Sequence, residues 1–147
     1  MDRSVLGGAT PVHIFGLDQE LASLIASAAL GLVHIVAASH SASLQRGYRW
    51  SAGARDEPAA PLSGVAGRLA RALDNFIDTF PLFVAVVLVA ELRGRHNVLT
   101  QLGSMLYWLG RLAYLPLYAG GVFLIRSLAW NVATAGIVLV GAGAVWP

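Results

Sequence analysis

Four long apolar stretches, set apart by short polar ones, dominate the pattern along the chain. The first runs over about 17–44, and its centre from Leu21 to Ala38 is interrupted only by Ser23, Ser27 and His34. At 1.5 Å per residue, a helix of that length crosses a hydrocarbon layer of roughly 30 Å. The second stretch, about 64–92, opens amphipathic and turns almost wholly apolar from Phe80 to Ala90. The third (about 98–119) and fourth (about 122–146) meet at a tight Gly120-Gly121 turn. Between the first two lies 45–63, where Arg, Pro, Gly, Ser and acidic residues cluster. That segment reads as an exposed loop, with Tyr48 and Trp50 as interfacial anchors and Ser63 as the cap of the next helix. Residues 1–16 read as a short polar lead without the apolar run of a cleaved signal. The pattern predicts an all-α integral membrane four-helix bundle, a single domain over 1–147.

The interruptions within the second, third and fourth stretches carry the chemistry. At 100° per residue, Arg68, Arg71, Asp74, Asn75 and Asp78 share an arc of about 120° on one helix face. They form a polar stripe that enters the membrane, with Asp78 at its deep end. Pro81 follows and is expected to free a carbonyl and kink the helix. An interfacial helix start with internal Arg–Asp pairs also fits this stripe. On the third helix, Tyr107, Arg111, Tyr114 and Tyr118 fall within an arc of about 60°. A guanidinium halfway along a membrane helix needs an acceptor, and Asp78 or a carboxylate brought by a ligand is the natural one. Arg126, Ser127 and Trp130 open the fourth helix; a snorkelling Arg with a Trp anchor explains them equally well. Gly136, Gly141 and Gly143 would allow close helix contacts, and His34 suits a helix contact better than a ligand role. Together the stripes predict one polar chamber suited to an anionic, partly peptide-like ligand, beside apolar flanks suited to a hydrophobic second substrate.

Composition sharpens this picture. Hydrophobic residues make up 56% of the 147 and charged residues 12%, roughly half the charged share of a soluble domain. The mean hydropathy of +0.65 is too high for so small a chain to hide in its own core. The net charge is +2, and all ten basic residues are Arg. No basic cluster of the nucleic-acid-binding kind is present. The absence of cysteine excludes disulfides and thiolate nucleophiles. His13, His34, His40 and His96 form no ligand-spaced pair, so no metal site is expected. Arg46, Arg49, Arg55, Arg68 and Arg71 lie in or beside the 45–63 loop, against Arg3, Arg93 and Arg95 on the other side. The positive-inside rule then makes that loop cytoplasmic and both termini external.

The pattern R68-x-x-R71-A72-x-x-N75-x-x-D78-x-x-P81-x-F83, followed by G110-R111-x-x-Y114-x-x-x-Y118 and R126-S127, resembles the MAPEG family. Those are membrane-associated proteins in eicosanoid and glutathione metabolism. The match covers about 55–130, and the compact loops with D56-E57-P58 look like the bacterial branch. The resemblance implies a homotrimer of four-span subunits in a bacterial inner membrane, with glutathione held between neighbours near the cytosolic side. It further implies that Arg71, Asn75 and Asp78 hold the carboxylates and amine of glutathione, and that Tyr114 and Tyr118 contact its backbone. Arg126 would stabilise the thiolate, Ser127 would contact the thiol, and Arg111 stands at a motif position of structural character. Asp78 occupies a place where the family pattern usually has Glu, one methylene longer. The implied activity is a glutathione-dependent transferase or peroxidase acting on hydrophobic electrophiles or lipid hydroperoxides. A non-catalytic scaffold or lipid-binding member of the same fold is the alternative. A transport pathway fits less well, because the far halves of the helices are too apolar to line one.

Overall fold

The computed structural model describes residues 12–14, 16–56 and 58–146. Arg3, Glu57 and most of the expected polar lead therefore lie outside the described residues. A two-residue hairpin comes first: β1 (His13–Ile14) pairs antiparallel with β2 (Leu17–Asp18), bringing His13 opposite Asp18. Hydropathy gave no sign of it, since two residues per strand carry no periodicity. Four long helices follow: α1 (Gln19–Arg46), α3 (Gly64–Leu92), α4 (Val98–Ala119) and α5 (Ile125–Val145), with the short α2 (Tyr48–Ala52) inside the first loop. Three of them, α1, α3 and α5, are long and apolar enough to cross a membrane. α4 is not among these three, its face carrying Thr100, Gln101, Ser104, Tyr107 and Arg111 inward.

The termini follow local chemistry. Asn97 caps α4 with a capping box: its Oδ1 accepts from the Leu99 and Thr100 amides, while the Thr100 hydroxyl accepts from the Asn97 amide. Ser63 precedes α3 as expected, but it makes no cap bond. Its hydroxyl accepts from Gln45 Nε2 at 2.7 Å instead, tying the loop back to α1. α3 runs through Pro81 as one helix. α5 begins three residues later than hydropathy suggests, because Gly120 to Leu124 form turns.

α4 packs most extensively on α5, and α1 lies against α3 and α4 without touching α5. The α4–α5 seam is closed by glycine. A Cβ at Gly136 would meet the Gly103 carbonyl at 2.5 Å, and one at Gly143 would meet Asn97 Oδ1 at 2.8 Å. Close backbone approach of this kind substitutes for the hydrophobic drive that lipid does not supply. The core holds Phe83, Val87, Ala90, Tyr107, Ala133, Val140 and Ala144, with the Phe83 and Tyr107 rings stacked at 3.9 Å. His34 is buried and stacks on Phe76 at 4.8 Å, a helix contact as expected. Large apolar side chains such as Leu32, Leu82, Leu128 and Val138 point outward, an exterior suited to lipid.

Candidate functional site

The inward face of α3 is the stripe Ala72, Phe76, Thr79 and Phe83. Asn75 sits at the edge of that stripe and is half-buried, whereas Arg71, Asp74 and Asp78 are exposed on this chain. The predicted polar stripe is therefore real, but it is turned so that only its inner edge enters the helix packing. Arg68 leaves the stripe to donate from Nε to the Ala119 carbonyl at 2.8 Å, pinning the start of α3 to the end of α4. A cation at the carbonyl end of a helix is favoured by the helix dipole.

Arg111 is fully buried. Its partner is not the expected Asp78: Nη1 donates to Asn75 Oδ1 at 3.3 Å and Nη2 to the Thr79 hydroxyl. The guanidinium also lies 5.7 Å from the Tyr107 ring centre and 5.4 Å from that of Tyr114. Neutral acceptors and aromatic faces thus solvate the charge. The correction has a geometric cause. Thr79, one turn beyond Asn75, projects inward, while Asp78 is rotated about 100° away on the same helix. Among the described residues no Arg–carboxylate ion pair forms at all, so the pairing of Arg71 with Asp74 or Asp78 is absent as well.

Beside Arg111 a cleft of about 430 Å³ opens between α3, α4 and α5. Asn75, Tyr114, Tyr118, Arg126, Ser127, Trp130 and Asn131 line it. Its volume falls in the range of roughly 300–1,000 Å³ common for small-molecule sites. The Arg126 guanidinium lies 4.4 Å over the Tyr118 ring, and the Tyr114 and Tyr118 rings are 5.2 Å apart. Leu124, just before α5, has φ 64°, a left-handed conformation uncommon for leucine. This turn sets α5 so that Arg126 reaches the Tyr118 ring.

Five expected site residues therefore share one cleft: Asn75, Tyr114, Tyr118, Arg126 and Ser127. Arg71 and Asp78 do not line it, and Arg111 stands behind it as a support for Asn75 and Tyr114. Asn131 and Thr79 escaped the sequence reading. Asn131 follows Ser127 by one helical turn and Thr79 follows Asn75 by one, so i, i+4 spacing was the available signal. Trp130, read as an anchor, instead lines the cleft, and its buried Nε1 has no hydrogen-bond partner.

The lining contains one guanidinium, two carboxamides, two phenols and a free indole N–H, with no carboxylate. Such a set accepts a polar anion. The class defined by this fold is an integral membrane protein of apolar helices, with a polar-lined cleft at the end of α4. The chain belongs to the MAPEG family, whose family model matches residues 23–146. No curated protein matches it.

Proposed function

We propose that this chain is a membrane-bound glutathione-dependent transferase or peroxidase acting on hydrophobic electrophiles or lipid hydroperoxides. The observation that carries the reading is the convergence of Asn75, Tyr114, Tyr118, Arg126 and Ser127 on one cleft in a member of this family. Glutathione is a small peptide with two carboxylates and one ammonium, and the donor-rich lining suits it. In this reading the subunit crosses the membrane four times, assembles as a homotrimer and sits in a bacterial inner membrane with the cleft toward the cytoplasm. Arg71 and Asp78, exposed on α3, would then complete the site across a subunit boundary by holding a carboxylate and the amine.

Within the cleft, Asn75 and the two tyrosines hold the peptide, and Arg111 keeps the Asn75 oxygen turned toward itself so that the amide N–H is free to donate outward. Arg126 faces the thiol, with Ser127 as a second contact. A free thiol has a pKa near 8.5, and each unit of lowering requires about 1.4 kcal/mol of added thiolate stabilisation. One partly desolvated guanidinium supplies that. The thiolate sulfur then forms a bond to the electrophilic carbon as the leaving group departs. With a hydroperoxide, two thiols give a disulfide while the peroxide becomes an alcohol and water. The protein mainly positions both reactants.

Calorimetric titration of the purified full chain with glutathione in detergent tests the reading. Saturable binding is expected. A well-folded oligomer that takes up no glutathione would leave the scaffold or lipid-binding role in its place.

A further inference from the structure

At the opposite end of the helices lies a second polar cluster that the glutathione reading does not use. Asp18, at the N-cap position of α1, makes no cap bond. Its carboxylate turns away from the helix, with Oδ1 at 3.1 Å from His13 Nδ1 and Oδ2 at 3.7 Å from His96 Nε2. Glu91 Oε2, in the last turn of α3, is 4.0 Å from the same His96 Nε2. The other ring nitrogen, Nδ1, lies 3.7 Å from Oε2 of Glu20, which is 1% exposed. Glu20 Oε1 accepts from the Thr100 hydroxyl at 2.5 Å.

The electrostatics of this cluster are incomplete. Three carboxylates meet two imidazoles, and every ion pair among the described residues is one of these four. Arg93 and Arg95 occupy the same turn as His96 but pair with none of the three acids. Glu91 is at a helix C-terminus, the end where the dipole disfavours an anion. Glu91 Oε1 and His96 Nδ1 are shielded from solvent and have no hydrogen-bond partner. Buried polar atoms left in that condition are costly, and a buried charge more so.

We propose that Asp18, Glu91 and His96 form a binding site for a divalent transition cation of the zinc type. One donor atom from each of the three lies within 4.8 Å of the others. Metal–ligand bonds of about 2.1 Å in a tetrahedron give ligand edges of about 3.4 Å, so side-chain tips need move only several tenths of an ångström to about one. A nitrogen with two carboxylates and no thiolate suits zinc or a neighbouring divalent metal; calcium would ask for six to eight oxygens. Glu20 supplies the second feature of such sites. A metal-bound imidazole usually gives its other N–H to a carboxylate, which orients the ring and raises its basicity. The buried Glu20 carboxylate, held by Thr100, stands 3.7 Å from Nδ1, close enough to take that role once the ring shifts onto an ion. A divalent cation would also relieve the approach of Asp18 to Glu91, two like charges on different elements. The ion would join the hairpin, the end of α3 and the α3–α4 turn, closing this end of the molecule. The expectation that no metal site exists rested on spacing along the chain, whereas these donors come from residues 18, 91 and 96.

The test is calorimetric titration of the chelator-stripped full chain in detergent with zinc chloride. One saturable equivalent per chain and a rise in unfolding temperature are expected. His96→Gln and Asp18→Asn should each weaken zinc binding at least about ten-fold. Asp18 is partly exposed and makes no cap bond, so its variant keeps the test open if His96→Gln does not fold. Absence of saturable binding to the wild-type chain overturns the proposal. Unchanged zinc affinity in both variants overturns it equally, by putting the ion elsewhere.

Discussion

The two ends of the molecule answer the same problem, polar groups within an apolar exterior, in opposite ways. The cleft end presents one half-buried guanidinium among neutral amides and phenols, in a space left open between helices. The other end presents three carboxylates around His96, packed so closely that Glu20 and Thr100 are almost wholly shielded. One end lacks an anion and the other lacks a cation. Thr100 and Tyr118 are both on α4, and the rise of 1.5 Å per residue separates them by about 27 Å. Charge deficits of opposite sign are thus held apart by a single rigid element, with the buried Arg111 between them. Arg111 shows the third solution, a buried charge whose two terminal nitrogens meet neutral acceptors and whose plane lies near aromatic rings, while its Nε has no hydrogen-bond partner.

Removing each contribution sharpens that contrast. The largest effect is expected from Arg126→Ala, which takes away the cation of the open end. Conjugation of an aryl halide should fall about 100-fold or more in kcat/KM, as for loss of one preorganised donor to a developing anion. Glutathione affinity should stay within a few-fold, because the tyrosines and Asn75 remain. Steady-state kinetics beside a binding titration reads both, and equal activity would remove the guanidinium from the chemistry. Next comes Thr79→Val, which deprives Arg111 of one acceptor. An unsatisfied buried donor costs about 1–3 kcal/mol, so the unfolding temperature should drop by several degrees. If stability does not change, Arg111 is not held in the way its hydrogen bonds indicate. The smallest change is Asp78→Glu, which lengthens an exposed side chain by one methylene. One exposed charge contact is worth about 0.5–1 kcal/mol, so glutathione should bind roughly 2–5-fold more tightly. Weaker binding would take Asp78 out of contact with the ligand amine.

Much of the architecture was legible in hydropathy. The expected limits 64–92 and 98–119 coincide with α3 and α4, because the polar loop ending at Ser63 and the polar turn ending at Asn97 mark where the apolar runs begin. Helical periodicity also placed Tyr107, Arg111, Tyr114 and Tyr118 on one face, and the structure has Arg111 between the first two rings it meets. The delayed start of α5 was not legible, since the turn through Leu124 is as apolar as the helix after it. Nor was the partner of Arg111, because a carboxylate at position 78 is the stronger candidate by charge and only the rotation of α3 favours Thr79. The cluster of Asp18, Glu20, Glu91 and His96 gave no signal at all. More than 70 residues separate its two halves along the chain.

By itself the sequence determined where helices form, that their outer faces suit lipid, and which polar residues share a helix face. Those properties are local: they depend on side-chain polarity and on a fixed 100° per residue. Only the tertiary structure decided which way each face turns. The contact of Gly103 with Gly136 leaves no room for a side chain at either position, so α4 and α5 meet along these glycine faces. That packing puts Arg111 inside, Arg126 at the edge of a cleft, and His96 among three acids contributed by distant parts of the chain.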